Sequence, residues 1–183
     1  MKGTTVLFGS PRRGGNSESL AEAFLRGAGE KAGEIFRFHL EEPNAISGCM
    51  DCRQCWTGGK PCVLDDSMRE IYEALRRSEL ILFVSPLYWY TWSGQIKLAI
   101  DRFLPFVSEN ALYTLKGKKS ILFSTAGDTD PDCFDGLRFA YRASCELLGL
   151  ESLLELLAHG IYRRGDIDGT EWLDRAERFG KSL

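Results

Sequence analysis

Four of the six cysteines, Cys49, Cys52, Cys55 and Cys62, fall within fourteen residues as C-x2-C-x2-C-x6-C. In a reducing compartment such a cluster is more often metal-binding or redox-active than disulfide-bonded. Thiolates are soft ligands, so four this close together suit an iron–sulfur centre. A tetrahedral zinc ion could use the same four, although zinc sites more often pair two C-x2-C halves across a longer loop. Free thiols, or disulfides formed after a centre is lost, are the remaining readings. Arg53 and Lys60 lie within the cluster and could offset the negative charge of a bound centre. Cys133 and Cys145 stand apart; Cys145 falls in an apolar helical pattern and reads as a small buried hydrophobe.

A second group of residues suits an anion. The segment Gly9-Ser10-Pro11-Arg12-Arg13-Gly14-Gly15-Asn16-Ser17-Glu18-Ser19 joins the end of an apolar run to the start of a helical pattern. Its glycines let backbone amides approach a ligand, Ser10, Asn16 and Ser17 offer short polar side chains, and Arg12 and Arg13 bring charge. A helix N-terminus adds unpaired N–H groups and a positive dipole end. The segment lacks the Gly-Lys-Ser/Thr ending of a P-loop and the G-x-G-x-x-G of a dinucleotide site. As phosphate chemistry it competes with a plain Gly-rich turn and helix cap.

A third group suits a flat ring. In Ser85-Pro86-Leu87-Tyr88-Trp89-Tyr90-Thr91-Trp92-Ser93-Gly94, four aromatics occur within five residues after the most apolar run of the chain. Aromatic surface of this kind stacks on planar ligands or marks a subunit interface. The small, polar Ser124-Thr125-Ala126-Gly127-Asp128-Thr129-Asp130 could close a third wall. His39 and His159 accompany no Ser or Cys nucleophile and read as structural or surface residues. Arg102 is a candidate for binding an anionic ligand at a pocket mouth.

These groups must be held by elements, and the hydrophobic periodicity supplies them. Strands are expected at Thr4–Phe8, Glu34–Leu40, Leu80–Ser85, Lys119–Thr125 and Leu150–Ala158, the last also compatible with helix. Helices are expected at Asn16–Lys31, from Asp65 or Asp66 to about Arg77, and at Gln95–Phe106, Phe134–Leu148 and Glu171–Lys181. Strict alternation implies βαβ units: an α/β, doubly wound, five-stranded parallel sheet in a three-layer sandwich. Ligands in such sheets bind beyond the carboxyl ends of the strands. The segments after the first, third and fourth strands are therefore the ones that should meet. Residues 1–183 read as one domain, with a cysteine-rich loop insertion at about 41–64.

Composition excludes several classes. Lys and Arg number 23 against 26 Asp and Glu, a formal charge of −3, which lacks the basic footprint of a nucleic-acid binder. No apolar run approaches the ~18 residues of a membrane span. Met1-Lys2-Gly3 leads into the first strand without a signal-peptide pattern, so the expected location is the cytoplasm.

The strings GSPRRGGNS, GCMDCRQCWTGGKPCVLDDSM and SPLYWYTWSGQIKLAIDRF resemble, in order and spacing, the flavodoxin-like NADPH-dependent FMN reductases, and most of all their iron–sulfur flavoprotein branch. The resemblance runs from about residue 3 to residue 128. It implies non-covalent FMN, its phosphate in the loop of Ser10, Arg12, Asn16, Ser17 and Glu18. Pro86, Leu87, Tyr88 and Trp89 would line the isoalloxazine, with Ala126 and Gly127 on its other side. It also implies a [4Fe–4S] cluster on Cys49, Cys52, Cys55 and Cys62, and a homodimer or homotetramer. Trp92 departs from the smaller residue expected there. The implied activity passes electrons from NAD(P)H through FMN to a quinone, flavin, metal or protein acceptor, with no catalytic side chain. The alternatives are an electron carrier fed by a ferredoxin, with little NAD(P)H turnover, and a zinc-stabilised flavin-binding protein.

Overall fold

Alternating apolar residues on five short strands supply two buried faces, and the computed structural model shows both covered. It describes residues 1–41, 46–57, 59–107, 111 and 114–183; positions 42–45 and 58 of the cysteine-rich loop lie outside the described residues. The strands are β1 (Gly3–Phe8), β2 (Glu34–His39), β3 (Leu80–Pro86), β4 (Lys119–Thr125) and β5 (Glu151–Ala158). Between and after them run α1 (Asn16–Ala28), α2 (Met68–Arg77), α3 (Gly94–Asp101), α4 (Asp135–Leu148) and α5 (Glu171–Ser182). Every pairing is parallel, in the order β2-β1-β3-β4-β5. The α/β doubly wound sheet expected from the sequence is the one observed.

Period-two geometry sorts the strand side chains. Leu7, Ile81, Phe83 and Leu122 pack with Ile71, Leu75, Ile96 and Leu137 of α2, α3 and α4. Val6, Phe8, Leu82, Val84 and Phe123 face the other way, against Leu20, Phe24 and Ala176 of α1 and α5. Each such side chain contributes about 1.5–3 kcal/mol by leaving water. Central β1 and β3 are buried along nearly their whole length, whereas β2, at the edge, is half-exposed throughout.

Two helix ends differ from expectation. The third helix stops at Asp101 rather than Phe106, because Pro105 cannot continue it and a short 3₁₀ turn, Leu104–Phe106, follows. The first helix ends at Ala28, where Gly29 adopts φ +51° and a 3₁₀ turn, Gly29–Ala32, takes over. The Leu-rich Glu151–Ala158 is a strand, separated from α4 by Gly149 in the left-handed conformation. Seven parallel pairings with β4 outweigh the helical propensity of its leucines.

α1 and α5 meet backbone to backbone. A Cβ at Gly27 would lie 2.1 Å from the Glu177 carbonyl oxygen, and one at Gly180 would lie 2.2 Å from that of Phe24. This crossing anchors the segment after β5 beside the start of α1, which proves to matter for the site.

Candidate functional site

Parallel strand order 2-1-3-4-5 reverses direction between β1 and β3, and a crevice must open beyond their carboxyl ends. A cleft of about 540 Å³ lies there, within the ~300–1,000 Å³ typical of small-ligand sites. It is lined by Ser10, Arg12, Gly15, Asn16 and Ser17 after β1, and by Pro86, Leu87 and Tyr88 after β3. Thr125, Ala126 and Gly127 after β4 and Ile161, Tyr162, Arg163 and Arg164 after β5 complete the wall.

The loop after β1 is shaped by short contacts. Gly9 donates its N–H to the Val84 carbonyl at 2.7 Å and accepts from Ser93 Oγ at 2.5 Å. A Cβ there would stand 2.6 Å from Ile96 Cβ, so glycine is what lets α3 reach the end of β1. Ser10 Oγ contacts the Arg12 N–H and carbonyl, both at 3.1 Å. Gly15 caps α1 without a side chain, leaving the first N–H groups and the positive dipole end for an anion. Glu18 accepts the Gly14 N–H at 2.7 Å; it orders the loop and does not line the cleft. Asn16 grips the opposite wall with both ends of its amide: Nδ2 donates to the Arg163 carbonyl at 2.7 Å, and Oδ1 accepts from Gly165 N–H at 2.9 Å.

The aromatic segment divides. Leu87 N–H donates to the Thr125 carbonyl at 2.9 Å, and Tyr88 and Thr91 exchange two hydrogen bonds of 3.1 Å. Trp89 and Tyr90 at the tip have φ of +48° and +63°, a type I′ geometry that favours Asn-Gly. Trp89 is 93% exposed and, like Glu18, is not in the cleft wall. Trp92 turns inward, against Phe83 and Tyr141 at 5.9 and 6.3 Å between centroids, and so leaves the cleft's shape untouched.

The fourth wall escaped the sequence reading. Ile161 N–H donates to the Ala126 carbonyl at 2.7 Å, stitching the segment after β5 to that after β4. Tyr162 lies against Gly127, where a Cβ would meet its Cδ2 at 2.5 Å. Asp166 accepts the Tyr162 and Arg163 N–H groups at 3.1 and 2.6 Å, holding the turn. The signal the sequence offers is Tyr162-Arg163-Arg164-Gly165, a few residues past the carboxyl end of β5. Three arginines, Arg12, Arg163 and Arg164, line the cleft and no carboxylate among the described residues does, so the site is cationic within a protein of net charge −3. His39 stacks on Phe8 at 4.5 Å and His159 packs edge-on to Trp172 at 5.5 Å; neither lines the cleft.

All four clustered cysteines line a separate small cavity of about 20 Å³, with Met50, Arg53, Leu64, Arg102 and Leu104. The thiols are free, Cys49 and Cys52 exposed and Cys55 and Cys62 half-buried. As placed, no three His, Cys, Asp or Glu among the described residues converge tightly enough to grip a single ion. Burial pushes the Cys55 thiol up, and the neighbouring Cys62, Cys49 and Cys52 add to it. Four cysteine sulfurs around one cavity are a soft donor set of the kind that, once deprotonated, suits a polynuclear iron–sulfur core. Trp56 Nε1 donates to the Leu104 carbonyl at 3.3 Å, tying this loop to the end of α3. Arg53 is held by Asp51 and lies over the Trp56 ring at 4.8 Å, while Lys60 is exposed.

Arg102 corrects an expectation. It is not at the cleft mouth but 2% exposed, paired with Asp66 at 2.9 Å and donating to the Ser47 carbonyl at 2.8 Å. Burial opposes its charge, but the Asp66 hydrogen bonds together with the nearby Tyr72, Cys62 and Asp66 hold its pKa above the ordinary arginine value.

Strand order and cleft together define a flavodoxin-like protein. The family model of NADPH-dependent FMN reductases matches residues 4–130, and the chain belongs to that family. Among its relatives, the iron-sulfur flavoprotein of Archaeoglobus fulgidus is 33% identical over 118 residues, covering 64% of this chain and 51% of that protein. The iron-sulfur flavoprotein of Methanosarcina thermophila is 32% identical over 123 residues, covering 67% and 62%. The chain thus spans about half to three-fifths of the length of these curated relatives. In fold it is similar to an NAD(P)H:quinone oxidoreductase from Methanothermobacter marburgensis, with a TM-score of 0.72 and 19% identity over 98% of this chain and 94% of that one.

Proposed function

We propose that this chain is an FMN-containing oxidoreductase that takes electrons from NAD(P)H and delivers them to a quinone, a flavin, a metal or a protein acceptor. The observation that carries the reading is the cationic cleft at the switch point of the sheet. Bound FMN would supply the hydride and electron chemistry. Arg12, the Ser10 and Ser17 side chains and the α1 amides would hold its phosphate, with Asn16 fixing the wall behind it. Pro86, Leu87 and Tyr88 would flank the ring system, with Ala126 and Gly127 opposite. Trp89 would serve only from outside, as part of a partner surface. In this reading residues 1–183 act as one cytoplasmic domain that assembles as a homodimer or homotetramer. No helix among the described residues is long and apolar enough to cross a membrane.

The second reading is an iron–sulfur flavoprotein that receives electrons from a ferredoxin with little NAD(P)H turnover. The convergence of Cys49, Cys52, Cys55 and Cys62 on one cavity supports it. Anaerobic purification, with absorption spectra, iron and sulfide assays and NAD(P)H oxidation on one sample, separates the two. Flavin bands with rapid NAD(P)H oxidation support the first. About four iron per chain with negligible NAD(P)H oxidation supports the second. A protein that stays colourless after incubation with FMN sinks both.

A further inference from the structure

Arg102 follows the last residue of α3 and heads the largest fully buried side chains among the described residues. Nη1 donates to Asp66 Oδ2 at 2.9 Å and to the Ser47 carbonyl at 2.8 Å, and Nη2 donates to Asp66 Oδ1 at 3.3 Å. Nε is buried and has no acceptor among the described residues. A buried cationic donor left unmet is costly, and native structures rarely retain one without a use. The same side chain forms part of the wall around Cys49, Cys52, Cys55 and Cys62. It enters that wall from α3, forty residues beyond the last cysteine, and is held there by Asp66 at the start of α2.

We propose that Arg102 is the charge partner of a redox centre held by the four cysteines, donating its Nε–H to a sulfur there and raising the centre's reduction potential. The inference rests on the iron–sulfur reading and adds to it the residue that tunes the centre. Each electron accepted makes a thiolate-bound centre one unit more negative. A fixed neighbouring cation and an N–H···S bond favour that reduced form over the oxidised one. Asp66 aims the guanidinium, and its own carboxylate works in the opposite direction on the potential.

The test uses the full chain, reconstituted anaerobically with ferrous iron and inorganic sulfide. Iron content is measured first, then the midpoint potential by dithionite titration followed by electron paramagnetic resonance. Arg102→Gln and Asp66→Asn break the same ion pair, so a purely structural role shifts both potentials the same way. The proposal expects opposite signs: a downward shift for Arg102→Gln and an upward shift for Asp66→Asn. Should neither variant fold, the paired replacement Arg102→Met with Asp66→Leu keeps the space filled without charge. Its potential is expected below that of the wild type. Shifts of one sign in the single variants, or a paired variant at or above the wild-type potential, overturn the assignment. A wild-type chain that takes up no iron overturns the iron–sulfur reading itself, and the assignment with it.

Discussion

Individual side chains in the cleft carry different duties, and mutation should separate them. Arg12→Ala removes a cation from the phosphate end and is expected to weaken FMN binding by ~1–3 kcal/mol, read as recovery of free-flavin fluorescence. Ser10→Ala is expected to act in the same direction by unfastening the turn at Arg12. Unchanged affinity in both variants would move the phosphate elsewhere. Asp66 gives a pH signature. Burial disfavours its charge, but hydrogen bonds from Arg102, Ser47 and Met68 prevail and hold its pKa below the usual carboxylate value. A depressed folded-state pKa stabilises the fold above the unfolded value of ~3.9, and that stability is lost as pH falls through the folded value. Asp66→Asn should therefore lower the melting temperature at neutral pH and flatten its fall below about pH 4. A melting curve as steep in acid as that of the wild type would contradict this.

Elements bring those side chains within reach, and their contacts can be loosened without touching the site. α1 follows the Gly-rich loop after β1 and α5 follows the Tyr162–Arg164 wall, and the two cross at Gly27 and Gly180. Gly27→Ala forces a methyl against the Glu177 carbonyl. It is expected to cost ~1–3 kcal/mol of stability by overpacking, and to weaken FMN binding by tilting the wall that Asn16 grips. The hairpin tip is a different case. Trp89 and Tyr90 hold left-handed backbone conformations that cost about 1–3 kcal/mol each in non-glycine residues. Replacing them by Asn and Gly should raise the melting temperature. A lowered one would mean that the two rings, exposed as they are, stabilise the chain by packing. Much of this level was legible beforehand, because alternating and 3.6-residue patterns are local. The misplaced end of α3 shows the limit: Ile100, Phe103 and Phe106 keep helical spacing, yet Pro105 forbids the hydrogen bonding.

At the scale of the whole molecule the two candidate sites are separate. No described residue lines both the cationic cleft and the cysteine cavity. Cys52→Ser is accordingly expected to abolish iron retention while leaving FMN affinity within about twofold, since distant sites act independently. Parallel loss of flavin, seen by absorbance, would instead show the two sites to be coupled. The chain's net charge is −3 while its cleft is lined by three arginines and, among the described residues, no acid, so the local field at the cleft is opposite in sign to the overall charge.

Sequence alone determined the class of fold and singled out the Gly-rich loop after β1, the aromatic segment and the four-cysteine cluster. Each is written in residues that are neighbours along the chain, so spacing and side-chain chemistry suffice to find them. Glu18 and Trp89 adjoin residues that line the cleft but are not themselves in its wall: Glu18 is engaged with the Gly14 N–H and Trp89 sits at the tip of a tight turn. Tertiary structure decided the rest. Ile161–Arg164 reach the cleft only because β5 lies beside β4 and α5 is locked onto α1. Arg102 joins the cysteines only because the turn that follows α3 packs against the loop that carries them. Contacts between residues dozens of positions apart depend on which elements share a face, and no local spacing encodes that.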